Sequence, residues 1–379
     1  MDFGAVSIVE GDLLVLGTML FSTGANILTR GNFHCRGKTS SDSFRLTQST
    51  ITSYDEISIR NYTNTTFPVQ FFFFFTVNAR SFVIDSCNRI VFTSGGTYAI
   101  TADIIAFTNN THTGTSGQFT ISADGLTMTA SIIRISNNEN QGTYCVVISS
   151  VNIITTNILD FKNNRSTSTG GAAGGVVYFG PNTTVSGDKI SFDSNYNNGT
   201  GANNNTVYIT TNTTVSANRI EFLNNYCTNA SSYAVTVDNT GKIKTEFLDI
   251  DLTIHTSPKL AHINMTTASD LQSRYSTDRI RQVRIHNPNG ATVTGFAKAS
   301  NFGVIPFAQK SYEDYAVGTT IPLPTPSTFY ALVPASVTFD TNNPMPAQFT
   351  AGTNNGTIRY TGKDSCTIKI TYCATVMVS

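Results

Sequence analysis

Apolar and polar residues alternate with period two along short stretches of this chain, and the stretches recur. Two copies match closely, Asn182-TTVSGDKISFDSN-Tyr196 and Asn212-TTVSANRIEFLNN-Tyr226, offset by 30 residues (212 − 182). The same core stands upstream in ADIIAFTNN, ASIIRISNN and TNILDFKNN, ending at Asn110, Asn138 and Asn164, and a weaker copy, KIKTEFLD, follows from Lys242. Aligned on their aromatic position, the copies place Phe107, Ile135, Phe161, Phe192, Phe222 and Phe247 in one column, at spacings of 28, 26, 31, 30 and 25 residues. Two residues earlier stand Ile105, Ile133, Leu159, Ile190 and Ile220, so each copy is a strand with one face turned inward. DEISIRNY (55–62) and CNRIVFTSG (87–95) read as out-of-phase relatives.

A repeat of 25 to 31 residues built on a period of two predicts an all-β solenoid, a right-handed parallel β-helix, over about residues 44–254. Helical repeats would need a 3.6 period, and leucine-rich repeats an L-x-x-L-x-L pattern; neither occurs. Three residues after the first five of these positions stand Asn110, Asn138, Asn164, Asn195 and Asn225. Asparagine tolerates the left-handed backbone conformation of a tight turn, and amides stacked at about 4.8 Å can hydrogen-bond from coil to coil. The predicted ladder is therefore amide-lined at the turn and aromatic inside, with the segment from Asn195 to Asn205 as an outer turn. This column pattern resembles the parallel β-helices of pectate-lyase type and of viral tailspikes. Among viral spike and fibre proteins of this build, the resemblance implies a structural protein of a phage or large DNA virus.

Outside the repeat, residues 1–43 read as an N-terminal cap or docking segment, because a solenoid needs its open end covered. Residues 255–320 read as a β-rich connection, with His255, His262 and His286 and a basic cluster of Arg274, Arg279, Arg281 and Arg284. These are read as ordinary partly buried histidines and a solvated strand edge paired with Asp270 and Asp278, not as metal or phosphate sites. The Pro-rich stretch from Ile321 to Tyr330 then leads into 321–379, where strands at Ser336–Phe339, Thr357–Tyr360 and Thr367–Val378 alternate with Gly/Asn turns. Asn355-GTIRYTG-Lys363 is similar to the middle of a TNF-like jelly-roll head, a fold that on viral surfaces implies trimers. The chain carries about half the strands such a head needs, so a partial jelly roll or small antiparallel sandwich is expected.

Composition narrows the function classes. Charged residues make up 13% and the net charge is zero, which gives no electrostatic ground for nucleic-acid or anionic-membrane binding. The apolar run Leu13–Phe21 is too short to span a bilayer, and it follows Asp2, Glu10 and Asp12 instead of a basic stretch, so no secretory signal is read. Cys35, Cys87, Cys145, Cys227, Cys366 and Cys373 are scattered without C-x-x-C spacing, which predicts buried thiols and no zinc site. No cofactor is expected. GGAAGG at 170–175 lacks the Lys-Ser/Thr of a phosphate loop and reads as a loop between coils, and the many N-x-S/T triplets, Asn61, Asn182, Asn212 and Asn264 among them, follow from composition.

Solenoids of this kind often process polysaccharides with carboxylates on an outer face. Arg134, Asp160, Ser191, Glu221 and Glu246 precede the aligned column and point outward, with Lys189, Arg219 and Lys244 two residues earlier. Glu221 and Glu246 would lie one coil apart, about 5 Å, the separation of a retaining glycosidase pair. The same residues also read as ion pairs, Glu221 with Arg219, Glu246 with Lys244, Asp160 with Arg134 and Lys162 with Asp193, in which cations lower the carboxyl pKa that a general acid needs raised. The expectation is accordingly a non-enzymatic virion protein: a homotrimeric β-helical spike, fibre or minor capsid component at the particle surface, assembled inside the host cell. Its partners would be other virion proteins and, for host attachment, a surface glycan. A tailspike-like polysaccharide-degrading enzyme acting through Glu221 and Glu246, and a cell-surface adhesin, are the alternatives.

Overall fold

The structure, a computed structural model, describes residues 7–298 except 22, 67–68, 94, 114–119, 143, 150–151, 168–174, 199–204, 229–232, 252–262, 267, 279–284 and 287–290, and beyond them 349–351 and 358–360. The chain divides into two compact units, Met1–Ala297 and Lys298–Ser379.

Among the described residues the first unit is all β, and every pairing between its named strands is parallel. Each coil contributes strands to three faces in turn. The first coil uses Ser7–Val9, Leu13–Leu16 and Met19–Phe21; from Thr97 on, one long strand per coil runs through the first and second faces. Stacking is dictated by alternation. On the second face Val15, Cys35, Ile59, Ile84, Phe107, Ile135, Phe161, Phe192, Phe222 and Ile250 lie in register, all buried. Strand neighbours about 4.8 Å apart satisfy each other's backbone groups, so no coil is stable without the next.

The expected aromatic column is present from Phe107 to Phe222, and Phe161, Phe192 and Phe222 stack with centroids 5.1 and 5.0 Å apart and planes 3° and 8° apart. Its last member is corrected. Ile250, not Phe247, stands below Phe222, while Phe247 lies beside Arg219 on the outside. Matching on the aromatic shifted that copy by three residues; the inward position accepts any large apolar side chain, and the Leu248/Ile250 alternation supplies it. Ile250→Ala should therefore cost about 2–5 kcal/mol, while Phe247→Ala stays near the ~1 kcal/mol of a surface change. Thermal denaturation of the two variants checks the register.

The parallel stack also extends past the boundaries read from the sequence. Residues 1–43, read as a cap, already contain coils whose strands pair onward to Phe44–Ser53 and Glu56–Arg60. The repeat is faint there because the coil from Val15 to Cys35 is short, 20 residues (35 − 15), and carries no asparagine turn. DEISIRNY is in phase, since Glu56–Arg60 stacks on Ser81–Asp85, whereas Ile90–Phe92 belongs to the third face. At the other end, Ile263–Met265, Asp270–Asp278 and Ile285–His286 continue the pairing into the region read as a connection.

Among the described residues of the second unit there is one antiparallel pair, Phe349–Ala351 with Ile358–Tyr360. The latter coincides with the strand expected at Thr357–Tyr360; those expected at Ser336–Phe339 and Thr367–Val378 lie outside the described residues.

Candidate functional site

The asparagine doublets do two jobs at one corner. The first residue of each takes the left-handed conformation: φ is 54° at Asn109, 55° at Asn137, 53° at Asn163, 56° at Ser194 and 52° at Asn224. The second turns inward and is fully buried, at Asn110, Asn138, Asn164, Asn195 and Asn225. The ladder residue is thus not the turn residue, and Asn195 is not part of an outer turn; Asn197 and Asn205 are buried as well. From Asn110 to Asn195 each ladder Nδ2 donates to the next coil's Oδ1 at 2.9–3.0 Å, ending at Asn225. Each also donates to a backbone carbonyl of the preceding coil, as Asn195 does to Phe161 at 2.9 Å. Each accepting Oδ1 takes a second bond from the preceding ladder residue's backbone N–H. Both protons and both lone pairs of such an amide are thereby used. Above the ladder the same corner holds Cys87, whose N–H donates to Asn110, and Tyr62, whose hydroxyl reaches the Gly17 carbonyl.

Just beyond this corner a short fourth sheet stacks Thr111–His112, Glu139–Asn140, Arg165–Ser166, Tyr196–Asn197 and Tyr226–Cys227. Outside it Tyr196 and Tyr226 stack at 5.1 Å, with the Arg165 guanidinium over Tyr196. Inside it His112 is 6% exposed, and neither ring nitrogen has a hydrogen-bond partner among the described residues. Burial, and secondly the Arg89 charge, hold its pKa below the ordinary 6.5. The unfolded chain takes up this proton first, so stability contributed above pH ~6.5 is lost as pH falls below it. Melting temperature should decline between pH 7 and 5, and His112→Asn, which supplies the residue found one coil below, should flatten that slope.

The outward charges of the second face are linked in part from coil to coil. Arg134, Asp160, Ser191, Glu221 and Asp249 occupy successive coils. Lys189 contacts Glu221 at 2.8 Å, and Arg219 bridges Glu221 at 3.4 Å and Asp249 at 2.6 Å. Lys162 pairs with Asp193 at 3.2 Å. Glu246 does not neighbour Glu221, because the three-residue correction that moves Phe247 outward puts Asp249 in that place. Glu246 instead borders a shallow groove with Gly187, Asn218 and Lys244. Asp249, which the aromatic alignment hid, is the sequence's missing carboxylate.

Burial pushes the Asp160 carboxyl above its usual range, against the pull of Lys189 and Arg134. At Asp193 burial acts the same way but is outweighed by hydrogen bonds from Ser194, Asn224 and Lys162, and the carboxyl lies below its usual range. The two adjacent carboxylates of this line, Glu221 and Asp249, are bridged by one guanidinium, an arrangement for charge balance between coils.

Cys35, Cys87, Cys145 and Cys227 are buried thiols outside any disulfide, and burial raises Cys87 and Cys145 to about 12, which makes those two unreactive packing groups. Cys366 and Cys373, His255, His262, Arg279, Arg281, Arg284 and 170–174 lie outside the described residues, as do the side chains of Arg274 and His286. Among the described residues no three His, Cys, Asp or Glu side chains gather as a metal would require. Compared with known proteins, the chain matches no protein-family model, no curated sequence and no solved structure.

Proposed function

We propose that the chain is a structural protein of a virus particle, a β-helical spike, fibre or minor capsid component held at the surface by its first coils. The observation that carries this reading is the amide ladder with its flanking apolar columns, continuous from coil to coil, beside outer carboxylates, Glu221 and Asp249, that are ion-paired to cations of the same surface. Such a build supplies stiffness and leaves few groups uncommitted for chemistry. The first coil adds support for anchoring: Ile8, Leu14, Leu16 and Leu20 point outward on its three faces and are 58%, 59%, 47% and 54% exposed. An apolar belt around one end fits a socket of other virion proteins. A homotrimer assembled inside the host cell, with the C-terminal unit available for a host glycan, completes the proposal.

Light scattering on the purified chain, together with immunogold labelling of particles from the producing host, tests it. A trimer and labelled particles are expected; particles free of label overturn the reading. Leu14→Ser with Leu20→Ser should leave the melting temperature within a few degrees and abolish incorporation.

A second reading, polysaccharide cleavage, rests on Asp160, a carboxyl raised by burial two coils from Glu221. Release of reducing ends from host polysaccharide by the parent chain but not by Asp160→Asn would establish it, and no release would dismiss it.

A further inference from the structure

The first face differs from the other two. Along its strands the inward residues are apolar, Ile51 to Ile243 through Val77, Met128 and Val185, and the residues on either side of each point outward. Those outward positions form two columns that run side by side from Thr50 and Thr52 at one end to Thr214 and Ser216 at the other, through the pair Thr127 and Thr129 midway. Between those ends each coil reads as hydroxyl–apolar–hydroxyl except where Asn78, Ala99 and Ile153 stand in. Every position in the two columns is exposed or half-exposed. Neither column carries a charge until the coil of Lys242 and Lys244. The second face, built on the same strands, carries Arg134, Asp160, Lys189 and Glu221.

β-Branched threonine suits an exposed strand, so one or two such residues would need no account. Confinement of the repeat to one face, in both directions of the sheet, does. The array is a two-column lattice of hydroxyl groups, with a methyl beside each where threonine stands. Its spacing is about 4.8 Å between coils and about 6.6 Å between the two columns. A periodic surface gains over an irregular one only when its ligand is periodic too. Tetrahedral water with O–H···O bonds of about 2.75 Å repeats at about 4.5 Å between second-neighbour oxygens and about 7.3 Å along the perpendicular axis. The two lattices agree to within roughly a tenth in both directions. Charge points the same way: a neutral face meets a neutral surface, with no strongly hydrated ion to disturb ordered water. The backbone holding the array is fixed by parallel pairing on both sides of each strand, so little ordering is left for the moment of binding. Ser186 and Ser216 already donate to the Ile154 and Val185 carbonyls, which places the better half of the array on the threonines above them.

We infer that the first face is an ice-binding surface, on which the threonine methyl and hydroxyl lattice holds water in the arrangement of the crystal. This use is independent of the particle-surface reading, since it needs only the folded solenoid.

The test measures the gap between melting and freezing points, and crystal shape, for the full chain in a nanolitre osmometer. Uptake of fluorescently labelled chain into a growing ice front is followed alongside it. The parent should shape crystals into facets, open a measurable gap and enter the ice. Thr129→Lys with Thr155→Lys, both on exposed positions, should lose all three while keeping the parent's circular dichroism. Arg134→Ala on the second face should retain them. Freezing without a gap and exclusion from ice by the folded parent overturn the inference whatever the variants do. So does a gap that survives the double lysine change. Concentration-dependent association that the lysines abolish, without any effect on ice, makes the face a seam between copies of this chain and also overturns it.

Discussion

Asn195→Ala is expected to lower stability by about 3–6 kcal/mol, because a side chain that fills all four of its hydrogen-bonding positions leaves its partners orphaned in the core. The losses are specific. The backbone N–H and Nδ2 of Asn164 lose their shared acceptor at 3.1 and 3.0 Å, and the Phe161 carbonyl and Asn225 Oδ1 each lose a donor. Each buried group left unmet costs about 1–3 kcal/mol, and relaxation of the corner recovers part of the sum. Asn195→Asp separates hydrogen bonding from volume. A carboxylate still accepts from Asn164 but cannot donate to Phe161 or Asn225, so it should fail at pH 7 and recover in part as acid protonates it. The sign follows from a folded-state pKa raised by burial: stabilisation is present at low pH and lost as pH rises. Thermal melts at pH 7 and pH 4 read both variants, and an Asn195→Ala chain as stable as the parent would refute the ladder's energetic role.

Phe192→Ala should cost about 3–5 kcal/mol by cavity formation. Phe192 is sandwiched between the rings of Phe161 and Phe222, and the Phe179 ring meets it edge-on at 6.1 Å. The backbone around it is held by ladders above and below, so the cavity cannot collapse and the loss falls at the high end. In a stack where each coil touches only its neighbours, the damage should stay local. Hydrogen exchange should therefore quicken in the coils holding Phe161 and Phe222 and remain slow near Ile59. Uniform loss of protection along the chain would contradict nearest-neighbour stability.

The two variants probe features of unequal legibility. The asparagine column could be read directly, because a turn with fixed geometry repeats its residue types at a fixed offset from the strand. What the residues do there could not. That the first Asn bends the chain and the second enters the core depends on which way each side chain faces after the bend, a matter of backbone conformation. The aromatic column was legible where Phe recurs and misleading where it does not, since Ile250 fills the place that Phe247 promised. The candidate site inherited that slip: Glu246 was paired with Glu221 on the strength of one aromatic, and the true neighbour, Asp249, follows from register alone.

By itself the sequence determined a parallel solenoid, its period and its polar turn, because all three rest on local alternation and turn chemistry repeated often enough to be seen. The tertiary structure decided the rest. It set where the stack begins and ends, which charges meet across coils, and which outward residues share a face. These depend on register between strands 20 to 31 residues apart, and a shift of a few residues changes every cross-coil neighbour while leaving the alternation within each strand intact.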